Sequence, residues 1–99
     1  MGNKQYQKGV RAEYLARDAL KGFGYYVIRS SGSHGIIDLI GFDLNSIILV
    51  QVKSGEFPFS EKNKCITDLE AFKRLLPLNC RVELWIKKQN ASGFERLTI

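Results

Sequence analysis

Apolar residues recur along residues 5–22 at the spacing of one helical face. Val10, Leu15, Ala16, Ala19, Leu20 and Phe23 fall together, while Lys, Arg and Asp fill the other side. This predicts a first helix stopped by Gly22 and Gly24, because glycine enters the left-handed conformation at little cost. Residues 25–29 are aromatic and β-branched and predict a strand. The run SSGSHG at 30–35 predicts a loop. Residues 36–42 are almost continuously apolar, which predicts a strand buried on both faces. A turn at 43–46 leads into a strand over 47–53. There Ile48, Val50 and Val52 take one face, and Leu49, Gln51 and Lys53 take the other. The short connections predict that these three strands form an antiparallel meander.

Residues 54–64 read as a polar loop, in which Lys62 and Lys64 are either part of a ligand surface or ordinary solvated lysines. Thr67 or Asp68 is placed to cap a second helix ending near Leu76, with Leu69, Phe72, Leu75 and Leu76 as its apolar stripe. That stripe reads as core, or, in a dimer, as an edge buried between subunits. A strand over 81–87, a turn over 88–93 and a strand over 94–99 complete the order αβββαββ. This is an α/β sandwich on a central mixed sheet, in one domain spanning 1–99.

Composition narrows the class. A hydrophobic fraction of 44% is too high for a disordered tail. No apolar run approaches the ~20 residues of a membrane span, so no membrane protein is expected. The polar start, Met1 to Gln7, lacks the apolar core of a secretion signal. Two cysteines, Cys65 and Cys80, and the single His34 cannot make a four-ligand zinc site of Cys and His. An intracellular, reduced, cytoplasmic protein is therefore expected, whether of a cellular or a viral form.

Charge points to a partner. The chain carries +5 overall, and its first 30 residues hold six bases against two acids, or +4 of that total. A field of this kind attracts polyanions, of which nucleic acid is the commonest in a cell; the plainer reading is a solvated basic helix face.

Three polar positions stand out within this frame. Asp38 lies inside the apolar run Ile36-Ile37-Asp38-Leu39-Ile40, where an unpaired carboxylate loses several kcal/mol of hydration. It either sits wet at a strand end or faces an Arg, a Lys or a metal ion. Gln51 and Lys53 project from one face of the next strand, or simply mark a strand emerging into solvent. Glu13 lies beside the apolar stripe of the first helix, though a solvated surface Glu is the simpler reading. If the strands are neighbours, Asp38 and Gln51 approach one point. Oxygen ligands of this kind suit Mg²⁺ or Mn²⁺, and a nearby Lys stabilises charge on a phosphate. That is equipment for hydrolysing a phosphodiester.

The ordered runs Gly9-Val10-Arg11-Ala12-Glu13, Val27-Ile28-Arg29-Ser30-Ser31-Gly32-Ser33-His34-Gly35, Ile37-Asp38-Leu39-Ile40 and Val50-Gln51-Val52-Lys53-Ser54 resemble those of archaeal-type Holliday junction resolvases. These belong to the PD-(D/E)XK nucleases, with a restriction-endonuclease-like fold. The resemblance is firmest over residues 8–54. It implies a homodimeric, Mg²⁺-dependent (or Mn²⁺-dependent) endonuclease making paired cuts in four-way DNA junctions. It places Glu13, Asp38, Gln51 and the carbonyl of Val52 at the metal and Lys53 beside the attacking water. Arg29 falls at a DNA phosphate and Ser33 in a DNA-contacting loop; Lys8, Arg11, Ser31 and His34 complete the candidate DNA contacts.

One position departs from the pattern. Resolvases of this type usually carry Glu where this chain has Gln51; the amide keeps a carbonyl ligand but removes a negative charge. Weaker metal binding is expected, with Glu56 a candidate compensating carboxylate. The competing expectations are a related nuclease for flaps or DNA ends, a non-catalytic DNA-binding module that kept the fold, and a basic scaffold domain.

Overall fold

The computed structural model describes residues 4–30, 35–56, 58–77, 79–88 and 90–99, with side chains from Val10 onward. Its elements are α1 (Lys4–Gly22), β1 (Tyr26–Arg29), β2 (Leu39–Phe42), β3 (Ile47–Ser54), α2 (Phe59–Lys73), β4 (Cys80–Lys87) and β5 (Glu95–Thr98). The order αβββαββ is the one the sequence predicts.

The strands form one mixed sheet in the order β1-β2-β3-β4-β5. β1, β2 and β3 are the expected antiparallel meander; β4 is parallel to β3, and β5 returns antiparallel to β4. The Asp43 carboxylate builds the β2–β3 turn, its Oδ1 accepting the N–H groups of Asn45 and Ser46 at 2.8 Å each.

α1 covers one face of the sheet and α2 the other. On the α1 side, Ala12, Ala16 and Leu20 pack on Leu39, Ile48, Val50, Val52 and Trp85. Small alanines at this spacing let the helix backbone lie close to the strands. Leu15 and Phe23, expected in the same stripe, are exposed; with Ala19 they form an adjoining row beside Trp85 and Phe94. On the α2 side, Leu49, Leu69, Cys80, Val82, Leu84 and Ile86 form the second core layer, with Phe72 and Leu76 packed against it. Of the two readings of the α2 stripe, these two residues follow the core, and Leu75 alone stands exposed. The alternation of β3 is as predicted, since Ile48, Val50 and Val52 face α1 while Leu49 faces α2.

The end of α1 is set by Gly24 rather than Gly22. Gly24 has φ +97°, its N–H donates to Lys21 O, and the Tyr25 N–H reaches back to Leu20 O. This reciprocal pair is the helix-ending motif that glycine favours.

Two expectations are corrected. The predicted loop over 54–64 is largely helix, because α2 begins at Phe59 and not at Thr67 or Asp68. Pro58 precedes it with no side-chain cap, so the usual start signal is missing. The crossover also requires the length. β4 rises about 26 Å over its eight residues. A 15-residue helix spans about 22 Å of that return path, where a helix from Thr67 to Leu76 would span about 15 Å. The second correction is that 36–42 is not a strand buried on both faces. Only Leu39–Phe42 pairs as β2, with Leu39 and Gly41 buried and Phe42 exposed. α2 packs on β4, so on its side of the sheet Tyr26, Ile28 and Phe42 stay exposed, the rings of Tyr26 and Phe42 5.1 Å apart.

Cys65 and Cys80 are free thiols, and among the described residues no helix is long and apolar enough to cross a membrane.

Candidate active site

The chain directions bring several ends to one edge of the sheet. β1 finishes there at Arg29, β2 begins beyond Asp38, and β3 finishes through Gln51, Val52 and Lys53. α1 lays Glu13 over the same edge, one turn from the buried Ala16.

Asp38 is fixed by backbone on three sides. Its carbonyl accepts the Ser30 N–H and its own N–H donates to Val50 O, both at 2.9 Å. Val50 is also the register partner of Leu39, so Asp38 and Leu39 together oppose one residue of β3. This is a β-bulge, a device that re-aims a side chain at the end of a ladder. The carboxylate then accepts the Val52 N–H on Oδ2 at 2.8 Å, and its Oδ1 makes no hydrogen bond among the described residues. Asp38 thus lies at the strand end, partly buried, and its hydrogen-bond partner is a main-chain N–H rather than an Arg or Lys side chain; it has no ion pair among the described residues.

Burial pushes the Asp38 pKa above its ordinary value of 3.8, the Val52 N–H opposes that rise, and Glu13 adds to it. Lys53 and Arg29 pull it back down. Glu13, Lys53 and Arg29 therefore all act on Asp38 at this edge. Lys53 also faces α2: its ammonium opposes the rise that burial imposes on the Cys65 thiol. Lys53 is half-buried and has no ion-pair partner among the described residues.

Glu13 is not the solvated surface residue of the simpler reading. Its Oε1 accepts from Arg29 Nε at 2.8 Å, with only 18% and 19% of the two side chains exposed. The Arg29 guanidinium also lies over the ring of Tyr14, 4.9 Å from its centre. Arg29, expected at a DNA phosphate, is thus held by protein groups. Sequence reasoning missed both partners, because the Glu13–Arg29 pair spans 16 residues and exists only once α1 docks beside β1.

Gln51 is 9% exposed and its amide makes no hydrogen bond among the described residues. Among the described residues the one buried polar side-chain atom without a partner is Glu95 Oε1, so the Gln51 amide still reaches solvent and is open to an incoming partner. No three of His, Cys, Asp and Glu cluster tightly enough to hold an ion among the described residues. A metal here would take the free oxygens of Asp38 and Glu13, with the third donor an amide or main-chain carbonyl. Oxygen donors of that kind fit Mg²⁺ or Mn²⁺.

The remaining candidates are dispersed. Arg11 is exposed on α1 and lines a groove with Ser54, Gly55, Lys87 and Lys88. Glu56 lines a neighbouring pocket with Lys62, Lys88 and Glu95, a set that does not include Asp38. Lys62 pairs with Glu95 at 3.4 Å, and Lys64 is exposed on α2. Ser31, Ser33, His34 and the side chain of Lys8 lie outside the described residues.

A second polar centre was not anticipated. Glu83 is buried on β4, where its Oε1 accepts from Trp85 Nε1 at 2.8 Å and from Arg96 through Nε and a terminal nitrogen. Its signal was the single acid in Val82-Glu83-Leu84-Trp85-Ile86. All three bonds fall on Oε1, and Arg96 compensates the charge within the protein.

No family model and no curated protein matches this chain. Solved structures do match in fold. Among them is a Holliday junction resolvase from an archaeal hyperthermophile, Archaeoglobus fulgidus Hjc, with a TM-score of 0.62 and 18% identity. The alignment covers 92% of this chain and 72% of that one. The α/β architecture is therefore that of the resemblance drawn from the sequence.

Proposed function

We propose that this chain is a metal-dependent, structure-selective DNA endonuclease that resolves four-way junctions by paired phosphodiester hydrolysis. The observation that carries the reading is the partly free carboxylate of Asp38, bound to the Val52 N–H and set among Glu13, Arg29 and Lys53. Two further supports are the amide of Gln51, which has no hydrogen bond among the described residues and is open to solvent, and a fold like that of the archaeal resolvase.

Asp38, Glu13, Gln51 and the Val52 carbonyl would hold Mg²⁺ or Mn²⁺, which when bound supplies electrophilic activation at the phosphate. The protein groups do the rest. Lys53, which has no ion pair among the described residues, brings its ammonium to the developing charge on phosphate and orients the attacking water. The water oxygen bonds to phosphorus as one ester P–O bond breaks, leaving a phosphate end and a hydroxyl end. Arg29, aligned by Glu13 and Tyr14, is poised toward phosphate. We place the enzyme in the cytoplasm as a homodimer, because paired cuts in a two-fold symmetric junction need two sites related by the same symmetry.

Incubation with a labelled four-way junction, a flap and a linear duplex in the presence of Mg²⁺ or Mn²⁺ tests this. Paired nicks confined to the junction are expected, and cleavage of flaps or ends instead selects the related-nuclease reading. A second reading is favoured by Gln51 itself. An amide in place of a carboxylate, beside a Glu13 already engaged by Arg29, suits a module that binds junction DNA without cutting it. Salt-sensitive binding with no metal-dependent product is its outcome.

A further inference from the structure

Beyond the site itself, the same sheet edge continues into a second basic feature. Ser54 is the register partner of Lys87, and the Gly55 N–H donates to Lys87 O at 2.9 Å. The chain turns there through Gly55 at φ +82°, a conformation that a side chain would strain. This opens a groove of about 240 Å³ between α1 and the end of β4. Ala12 and Leu15 give it an apolar wall; Arg11, Lys87, Lys88 and Asn90 give it cations and an amide. Among the described residues no Asp or Glu lines it.

Two of the three cations have no acidic partner among the described residues, and the third, Lys88, makes a long ion pair with Glu95. Arg11 has no ion-pair partner among the described residues. Lys87 donates to the neutral carbonyl of Ala91, so its charge is uncompensated. Lys88 is largely exposed and lies 3.9 Å from Glu95, at the border with the adjoining pocket. There Lys62 pairs with Glu95 and Glu56 adds a second acid, and the positive stretch ends. The groove begins one residue from Glu13 on α1, at Ala12, and one residue past Lys53 on β3, at Ser54.

We propose that this groove seats the sugar–phosphate backbone of the DNA arm leading away from the scissile phosphate, with Arg11, Lys87 and Lys88 on phosphates and Leu15 against sugar. The assignment rests on the nuclease reading and adds Lys87, Lys88 and Asn90 to its DNA surface. It specifies register on the duplex rather than base sequence.

The test is equilibrium binding of a labelled four-way junction across a salt series without divalent ion, for wild type, Arg11→Gln, Lys88→Gln and Arg74→Gln. Arg74 follows the C-terminus of α2, at the opposite end of the sheet. Each groove variant is expected to lower the slope of log Kd against log salt by about 0.9, the effect of one lost phosphate contact. Affinity at ~0.1 M salt should fall several-fold, and Arg74→Gln should match wild type. Arg11 is exposed on α1, so its variant carries the test should Lys88→Gln misfold. Wild-type slope and affinity in the groove variants overturn the groove while leaving the nuclease reading intact. No salt-dependent binding by wild type overturns both.

Discussion

Arg29 Nε lies 2.8 Å from Glu13 Oε1, a partly buried ion pair joining the last residue of β1 to the third turn of α1. It occupies one oxygen of a carboxylate that the nuclease reading needs at the metal. Arg29→Ala should therefore tighten Mn²⁺ binding by about fivefold, the equivalent of the ~1 kcal/mol such a pair is worth. It should weaken junction binding at the same time. Isothermal titration with Mn²⁺ and with junction DNA reads both; unchanged metal affinity would remove the idea that Arg29 competes for Glu13.

Gln51→Glu restores the missing charge at a buried position with no competing hydrogen bond. Metal affinity should rise by about tenfold or more, since a carboxylate ligand adds Coulomb attraction that an amide lacks. The added charge should also drive the Asp38 pKa higher, as Glu13 already does. No gain in Mn²⁺ affinity would mean that Gln51 is not a ligand.

The raised pKa of Asp38 makes a prediction about stability. Its cause is burial of the charged form, so the folded state holds this proton more tightly than the unfolded chain does. Stability then falls as pH rises from the ordinary value of 3.8 through the higher folded value, and the loss persists above it. Asp38→Asn keeps an acceptor for the Val52 N–H and avoids the charge. Its Tm should exceed wild type near neutral pH, and the gap should close toward about pH 3. A gap independent of pH would show that the carboxylate charge is not the cause.

Much of this arrangement is legible in the sequence. The β-branched alternation of Ile48, Val50 and Val52 fixes which face of β3 meets α1, and hence that Gln51 and Lys53 share the other. Asp38 is conspicuous because a charge within an apolar run must find a partner. The start of α2 is hidden because Pro58 offers no side-chain cap and Phe59, Ser60 and Glu61 are all exposed. The Arg29–Glu13 pair is hidden for another reason: local spacing carries no information about which strand end a helix will cross. The groove at Lys87 and Lys88 was missed because two lysines before a turn look like ordinary solvated residues until Gly55 brings Arg11 and Ser54 beside them.

Glu83 is a structural counterpart to Asp38, buried but ion-paired, with Arg96 at its Oε1. Glu83→Ala orphans the indole N–H of the buried Trp85, which costs about 1–3 kcal/mol. Arg96, 40% exposed, can turn to water instead. Urea unfolding should show the loss while junction binding persists; unchanged stability would mean that this network is not needed to hold β4 and β5.

The most direct measurement is single-turnover cleavage of a mobile four-way junction with Mg²⁺ or Mn²⁺, comparing wild type with Asp38→Asn, alongside the junction Kd of each. The account predicts metal-dependent paired nicks for wild type, at least a hundredfold slower cleavage for the variant, as is typical when a group acting directly on the transition state is removed, and junction affinities within about threefold of each other, because phosphate contacts dominate binding. Cleavage by Asp38→Asn at the wild-type rate would contradict it.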